Sequence, residues 1–148
     1  MKKKLLALCL AAGIVLSVNA QEKTKISDKD LPATIQTNFK SQYPDASGAD
    51  WKLKDGKYKV HFNVNGTKQM AAYDQAGTML SKGVEIKQSE LPANITSSTK
   101  SLYANRDIDE VYKVDKNGAT QYLVKLKGDP ETKILYSADG QVIKEKQD

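Results

Sequence analysis

The sequence has 148 residues, with 23 Lys+Arg, 18 Asp+Glu, one histidine and one cysteine. This length suits one ordinary domain. A single histidine and a single cysteine are too few ligands for a zinc or copper site built from those two residue types.

The first twenty residues predict a cleaved export signal. Residues 2–4 are lysines, residues 5–16 are mostly apolar, and residues 18–20 have the small final residue of a cleavage site. The apolar run is too short for a membrane span, so we expect no membrane insertion after cleavage. A lipoprotein signal at Cys9 fits less well, because Leu8 stands where a small residue is expected. We therefore predict a periplasmic location.

Removal of residues 1–20 changes both the charge and the cysteine content. The remaining 128 residues carry 20 Lys+Arg against 18 Asp+Glu, a net charge of +2, and no cysteine. Nucleic-acid binding is not expected, because it needs a strongly basic domain. Without disulfides, the domain depends on its apolar core for stability.

The first predicted element of the exported part is an amphipathic helix. Leu31, Ile35 and Phe39 recur every four residues and form one apolar stripe. Ser27 or Asp30 is the candidate side-chain cap at its start.

Four strands are predicted to follow this helix. Their ranges are 49–54, 58–64, 67–73 and 79–86. Apolar and polar residues alternate most strictly in the second of them, and Asp55-Gly56 and Asn65-Gly66 are typical two-residue hairpin turns. The pattern predicts an antiparallel meander.

The same elements occur a second time, sixty residues later. LPATIQTNFKSQY at 31–43 returns as LPANITSSTKSLY at 91–103, although Thr99 weakens the second apolar stripe. Strands are then predicted near 108–115, 119–127, 131–137 and 140–145. The chain therefore consists of two tandem copies of one unit.

Two such units predict an α+β fold with one continuous eight-stranded sheet and both helices on one face. A unit of about 60 residues has a small core, and a lone meander leaves two bare edges. Pairing the copies edge to edge covers one edge of each. We therefore interpret residues 21–86 and 87–148 as two repeats of one domain.

The repeated motifs resemble those of the PepSY-like, β-lactamase-inhibitor-protein-like family of exported bacterial proteins. Their shared residues are Leu31-Pro32, Ile35, Tyr43-Pro44, Tyr73-Asp74, Gly77 and Leu80, with Leu91-Pro92, Ile95, Tyr103, Tyr136, Gly140 and Ile143 in the second copy. The resemblance implies the same tandem fold and a sheet whose open face binds a protein. It does not imply β-lactamase inhibition, because no loop reproduces the inhibitory residues.

The sequence contains no catalytic motif, so we predict no enzymatic activity and no cofactor. His61 lies between Lys59 and Asn63 on the polar side of a strand. The alternative to a protein-binding module is a small-ligand or calcium-binding protein. Its most concrete form is a calcium site at Asp107, Asp109 and Glu110, although this cluster lacks the glycine and length of an EF-hand loop.

Strand alternation predicts a basic open face for the sheet. We assign to the helix side the apolar residues Trp51, Leu53, Tyr58, Val60, Phe62, Tyr112, Val114, Tyr122, Val124 and Leu126. The opposite side then carries Lys52, Lys54, Lys59, His61, Lys113, Lys125 and Lys127. We predict that this face binds a protein or peptide partner, with an acidic partner as a candidate, and that the protein is a monomer.

Overall fold

The computed structural model describes residues 23–148, so the predicted signal and its cleavage site lie outside the described residues. The helices are α1 (Ala33–Gln42) and α2 (Ala93–Leu102), preceded by short 3₁₀ helices at Asp28–Asp30 and Gln88–Glu90. The strands are β1 (Thr24–Ile26), β2 (Ala46–Lys54), β3 (Lys57–Val64), β4 (Thr67–Tyr73), β5 (Met79–Ile86), β6 (Ile108–Lys116), β7 (Ala119–Leu126), β8 (Thr132–Ser137) and β9 (Val142–Gln147). All pair antiparallel with their chain neighbours.

The α+β fold class and the continuous sheet are confirmed, but the described sheet has nine strands rather than eight. The additional strand is β1, in which Ile26 pairs with Trp51 of β2. Ile86, sixty residues later, pairs with Val111 of β6 in the same way. Each helix is therefore preceded by a strand, and β5 both ends the first repeat and begins the second.

The predicted side-chain cap at the start of the first helix is wrong. Pro32 and Pro92 occupy the N-cap positions, and neither helix has a side-chain cap hydrogen bond. Ser27 and Asp30 instead belong to the short 3₁₀ turn ahead of α1. Both helices end alike, because the backbone N–H of Tyr43 donates to Phe39 and that of Tyr103 donates to Thr99.

Each helix covers its own apolar core on the same side of the sheet. The first core gathers Leu31, Ile35, Phe39, Trp51, Val60, Phe62, Ala71 and Tyr73. The second gathers Leu91, Ile95, Val111, Val124, Leu126, Ile134 and Tyr136. Phe39 meets the rings of Trp51 and Phe62 edge-on, with centroids 5.1 and 5.0 Å apart. Residues that pair across strands point to the same face, so the registers place both cores on one side.

Thr99 is a hydrogen-bonding residue of the second core rather than a gap in its apolar stripe. Its Oγ1 donates to the carbonyl of Ile95 at 2.9 Å and lies 2.8 Å from the Tyr136 hydroxyl. Because the Thr99 proton is committed to Ile95, the Tyr136 hydroxyl donates to Thr99. In the first repeat, Tyr73 donates to Gln42 instead, at 2.6 Å.

We expect Thr99→Val to lower the free energy of unfolding by about 1–2 kcal/mol, because it leaves the buried Tyr136 hydroxyl without its acceptor. Urea denaturation measures the loss. In a Tyr136→Phe background, the same substitution should cost clearly less. Equal costs in the two backgrounds would mean that the hydrogen bond does not stabilise the fold.

The sheet is curled so that its first and last strands approach each other. Lys23, next to β1, and Asp148, next to β9, form an ion pair of 3.0 Å between Nζ and Oδ2. Lys144 of β9 lies close enough to Lys59 of β3 to affect its pKa. The registers place Lys59 and Lys144 on the side opposite the helices. The open face is therefore concave, and the helices lie on the convex side.

Candidate binding face

The open face carries lysines from eight of the nine described strands. The registers place on it Lys25, Lys52, Lys54, Lys57, Lys59, Lys68, Lys116, Lys125, Lys133, Lys144 and Lys146. The placement of Lys52, Lys54, Lys59, His61 and Lys125 on this side agrees with the sequence prediction. The other open-face lysines were not predicted, and for Lys57, Lys68, Lys133 and Lys144 the reason is that their strand segments lack an apolar alternation that reveals their side.

The predicted sides of β6 are wrong. Lys113 pairs with Tyr122 and Val84, and it lies exposed on the helix side. Tyr112 and Val114 point to the open face instead. Val111 and Tyr112 are both apolar, so alternation alone fits either side. The pairing of Val111 with Ile86 settles it, because it places Val111 in the second core.

Lys127 lies just beyond the end of β7. Its backbone N–H donates to the carbonyl of Asp107 at 2.9 Å, and its side chain is exposed. The alternation that would place its side chain on the open face ends with the strand. Lys113 and Lys127 are therefore not part of the lysine surface defined by the strand registers.

A small apolar patch lies at the centre of the open face. It joins the two repeats, because Met70 and Gly83 belong to the first and Tyr112 and Val114 to the second. A Cβ on Gly83 would come within 2.8 Å of Met70 Cγ and 3.2 Å of Val114 Cγ2. Tyr112 is 1% exposed although it lies on the face without helices. The open face thus has its own buried contacts at the junction.

Glu110 links lysines from both repeats above this patch. Its Oε2 lies 2.7 Å from Lys125 Nζ and accepts from the Tyr112 hydroxyl at 3.1 Å, while its Oε1 binds Lys68. Burial would raise the pKa of Glu110, but hydrogen bonds from Lys125, Lys68 and Tyr112 outweigh it and lower the pKa from 4.5 to about 2. Glu110 is therefore a structural anion that neutralises the middle of the face.

One end of the face has lysines without such neutralisation. Among residues 23–148, five open-face lysines form no ion pair: Lys54, Lys57, Lys59, Lys116 and Lys144. The other open-face lysines each contact a carboxylate. Burial and the nearby charges of Lys54, Lys144 and Lys57 lower the pKa of Lys59. We call Lys54, Lys57, Lys59 and Lys144 the lysine cluster, because the charges of the other three act on Lys59. They come from β2, β3 and β9, which the curl of the sheet brings together.

His61 lies between the lysine cluster and the Glu110 network. Its pKa is lowered by burial in the concave face, and then by the charges of Lys125, Lys52 and Lys133. The side chain is still exposed to solvent. His61 is therefore held neutral near pH 7, and it adds no positive charge to the face.

The three carboxylates proposed for calcium do not form a shared site. The register is irregular between Ile108 and Glu110, and the Glu110 carboxylate is engaged by lysines. Within the described part of the chain, no group of three or more His, Cys, Asp or Glu residues is placed to bind a metal ion. The calcium alternative has no ligand set in these residues.

The fold defines a class of tandem helix-and-sheet proteins with helices on one face and the other face open. The chain belongs to the family described as "Putative beta-lactamase-inhibitor-like, PepSY-like", whose sequence profile matches residues 16–81 and 56–144. The two overlapping matches agree with the tandem repeat. The family resemblance predicted from the motifs is therefore confirmed.

Solved structures from Bacteroides share this fold. A "putative periplasmic" protein of Bacteroides eggerthii has a TM-score of 0.65 at 18% identity, covering 79% of this chain and 88% of its own. A DUF2874 family protein of Bacteroides ovatus has a TM-score of 0.60 at 24% identity, covering 79% and 87%. A BLIP-like protein of Bacteroides fragilis has a TM-score of 0.56 at 21% identity, covering 79% and 86%. At these identities, the similarity concerns the fold.

A comparison with curated proteins gave no match. Of the helices in residues 23–148, none is long and apolar enough to cross a membrane.

Proposed function

We propose that the protein is an exported, periplasmic and non-enzymatic interaction module that binds an acidic segment of a partner protein on its open face. The observation that carries this proposal is the lysine cluster of Lys54, Lys57, Lys59 and Lys144. The export signal in the sequence and the "putative periplasmic" description of a protein with the same fold support the location. The BLIP-like fold supports protein binding.

The charge balance within the face favours an acidic partner. Lys68 and Lys125 are already bound to Glu110, and Lys133 lies 2.5 Å from Asp148. The lysine cluster keeps its positive charges close together, which is unfavourable until an anion lies among them. An acidic segment would relieve this repulsion and would be attracted at long range.

We expect the triple reversal Lys57→Glu, Lys59→Glu and Lys144→Glu to weaken binding of an acidic peptide by tenfold or more at low salt. The probe is a six-residue peptide of alternating glutamate and valine, with its affinity measured by calorimetry. Wild-type binding should also weaken as salt is added, because salt screens charges on exposed groups. The three lysine side chains are exposed, so the free energy of unfolding should change by less than about 1 kcal/mol.

The matched control reverses three exposed lysines on the helix side, Lys82, Lys100 and Lys113. It changes the net charge equally and should bind the peptide almost as the wild type does. Equal loss in both variants would contradict a localised site, because overall charge would then be sufficient. Lys125 is unsuitable for this test, since its reversal would place a second carboxylate beside Glu110.

A further inference from the structure

The two repeats have equivalent grooves between the helix and the first strand that follows it. The first, beside α1 and β2, has a volume of about 590 Å³, and the second, beside α2 and β6, about 330 Å³. Every residue that lines the second groove has a counterpart sixty positions earlier in the first. The two grooves can therefore be compared residue by residue.

An arginine of the chain itself lines the second groove. The Arg106 guanidinium lies 5.9 Å from the centre of the Tyr103 ring. Its Nε donates to the Lys127 carbonyl at 2.9 Å, and its Nη2 donates to the Pro130 carbonyl at 2.7 Å. An arginine held over a tyrosine and bonded to carbonyl groups is a stable arrangement.

The first groove has the tyrosine but not the arginine. Ala46 stands at the position of Arg106, and Tyr43 stands at that of Tyr103. The wall also includes the apolar side chains of Phe39 and Trp51. Alanine is much smaller than arginine, which explains why the first groove is the larger of the two. The first groove therefore has room for a side chain from another molecule.

The first groove has a carboxylate where the second has an amide donor. In the second repeat, Gln88 Nε2 donates to the Ile108 carbonyl at 2.9 Å. In the first repeat, the counterparts are Asp28 and Gly48, and a carboxylate cannot donate to a carbonyl. The strand β1 ends opposite Trp51, so it does not cover this part of the β2 edge. The site thus offers the Asp28 carboxylate as an acceptor, together with a part of the β2 edge that β1 does not cover.

We propose that the first groove binds an arginine side chain from an extended segment of a partner protein. The guanidinium would stack on Tyr43, as Arg106 stacks on Tyr103, and would donate to the Asp28 carboxylate and the Gly48 carbonyl. Arginine fits this place because it combines a flat cationic face with five N–H donors. Lys40 at the rim repels a cation, so the contacts of Asp28 and Tyr43 must outweigh it. This site lies on the convex side, away from the lysine cluster.

The probe is a six-residue peptide of alternating arginine and valine, titrated into the protein while Trp51 fluorescence is recorded. Trp51 is the one tryptophan of the sequence, and it lines the groove. Ala46→Arg introduces the arginine of the second repeat into the groove, and Asp28→Gln replaces the acceptor by the residue of the second repeat. We expect each substitution to weaken binding by about tenfold or more. A peptide with citrulline in place of arginine should also bind more weakly.

The matched control is Ala119→Arg, which makes the same change at an exposed position on β7 and should bind like the wild type. If Ala46→Arg fails to fold by circular dichroism, Asp28→Gln decides the question. Absence of wild-type binding at millimolar peptide, or unchanged binding in the decisive variant, would overturn the proposal. Ala46→Arg should still bind the glutamate–valine peptide, so failure of this site can be told apart from failure of the lysine cluster.

Discussion

Residues 21–86 and 87–148, expressed as separate chains, are expected to show no cooperative thermal unfolding. Separation exposes the β5 edge of one half and the β6 edge of the other, which pair along Lys82–Ile86 and Val111–Asp115 in the intact chain. It also removes Ile86 from its packing against the second core. Repeats of this size have little core to offset such losses when no disulfide holds them.

The open face adds to this coupling between the repeats. Val114 packs over Gly83 beside Met70, and Glu110 binds Lys68. Thermal scans by circular dichroism measure the outcome, and an equimolar mixture of the two halves is the control. The mixture should regain a sigmoidal transition because the missing partner is restored. Two sharp transitions from the isolated halves would contradict the interpretation of the repeats as one domain.

Glu110→Gln is expected to lower the free energy of unfolding at pH 7 by about 2–3 kcal/mol. The carboxylate is 15% exposed and has two lysine partners, and Lys125 is equally buried. Removing the negative charge leaves the largely buried Lys125 ammonium without its counter-ion, which is costly. Urea denaturation of both proteins at a series of pH values measures the difference.

The effect of Glu110 should disappear in acid. Its pKa is about 2 in the folded protein against 4.5 as the ordinary value, so the unfolded chain takes up the proton first as the pH falls. Its contribution to stability is therefore complete above about pH 4.5 and is lost between about pH 4.5 and pH 2. The gap between wild type and Glu110→Gln should close over this range.

The matched control for Glu110 is Glu131→Gln, since Glu131 also pairs with a lysine but is 41% exposed. Exposed ion pairs contribute little, so we expect a change below about 1 kcal/mol. A gap between wild type and Glu110→Gln that stays constant down to pH 2 would contradict the role given to Glu110. Such a result would mean that the substitution acts through packing rather than charge.

Much of the architecture could be predicted because it depends on local chemistry. The hairpins at Asp55-Gly56, Asn65-Gly66 and Asn117-Gly118 do have the left-handed backbone that these residues tolerate. The cores at Ile35 and Ile95 follow from helical periodicity, and the tandem order follows from the repeat itself. These patterns act over a few residues, so they can be read without knowing which strands meet.

The candidate binding face could be predicted only where one side of a strand is clearly apolar. In β3, Val60 and Phe62 alternate with Lys59 and His61, and the assignment was right. In β6, both Val111 and Tyr112 are apolar and buried, and the side assigned to Lys113 was wrong. A strand with apolar residues on both sides has two equivalent readings.

The sequence by itself determined the repeat, the helices, most of the strands and the lysine-rich side of β2 and β3, because these depend on periodicity and turn chemistry. Only the tertiary structure decided that β1 joins the sheet and that the sheet curls to bring Lys59 near Lys144. It also decided that the groove beside Ala46 is larger than the one that Arg106 lines in the second repeat. These features depend on which distant residues become neighbours, and register and curvature set that only when the whole sheet has formed.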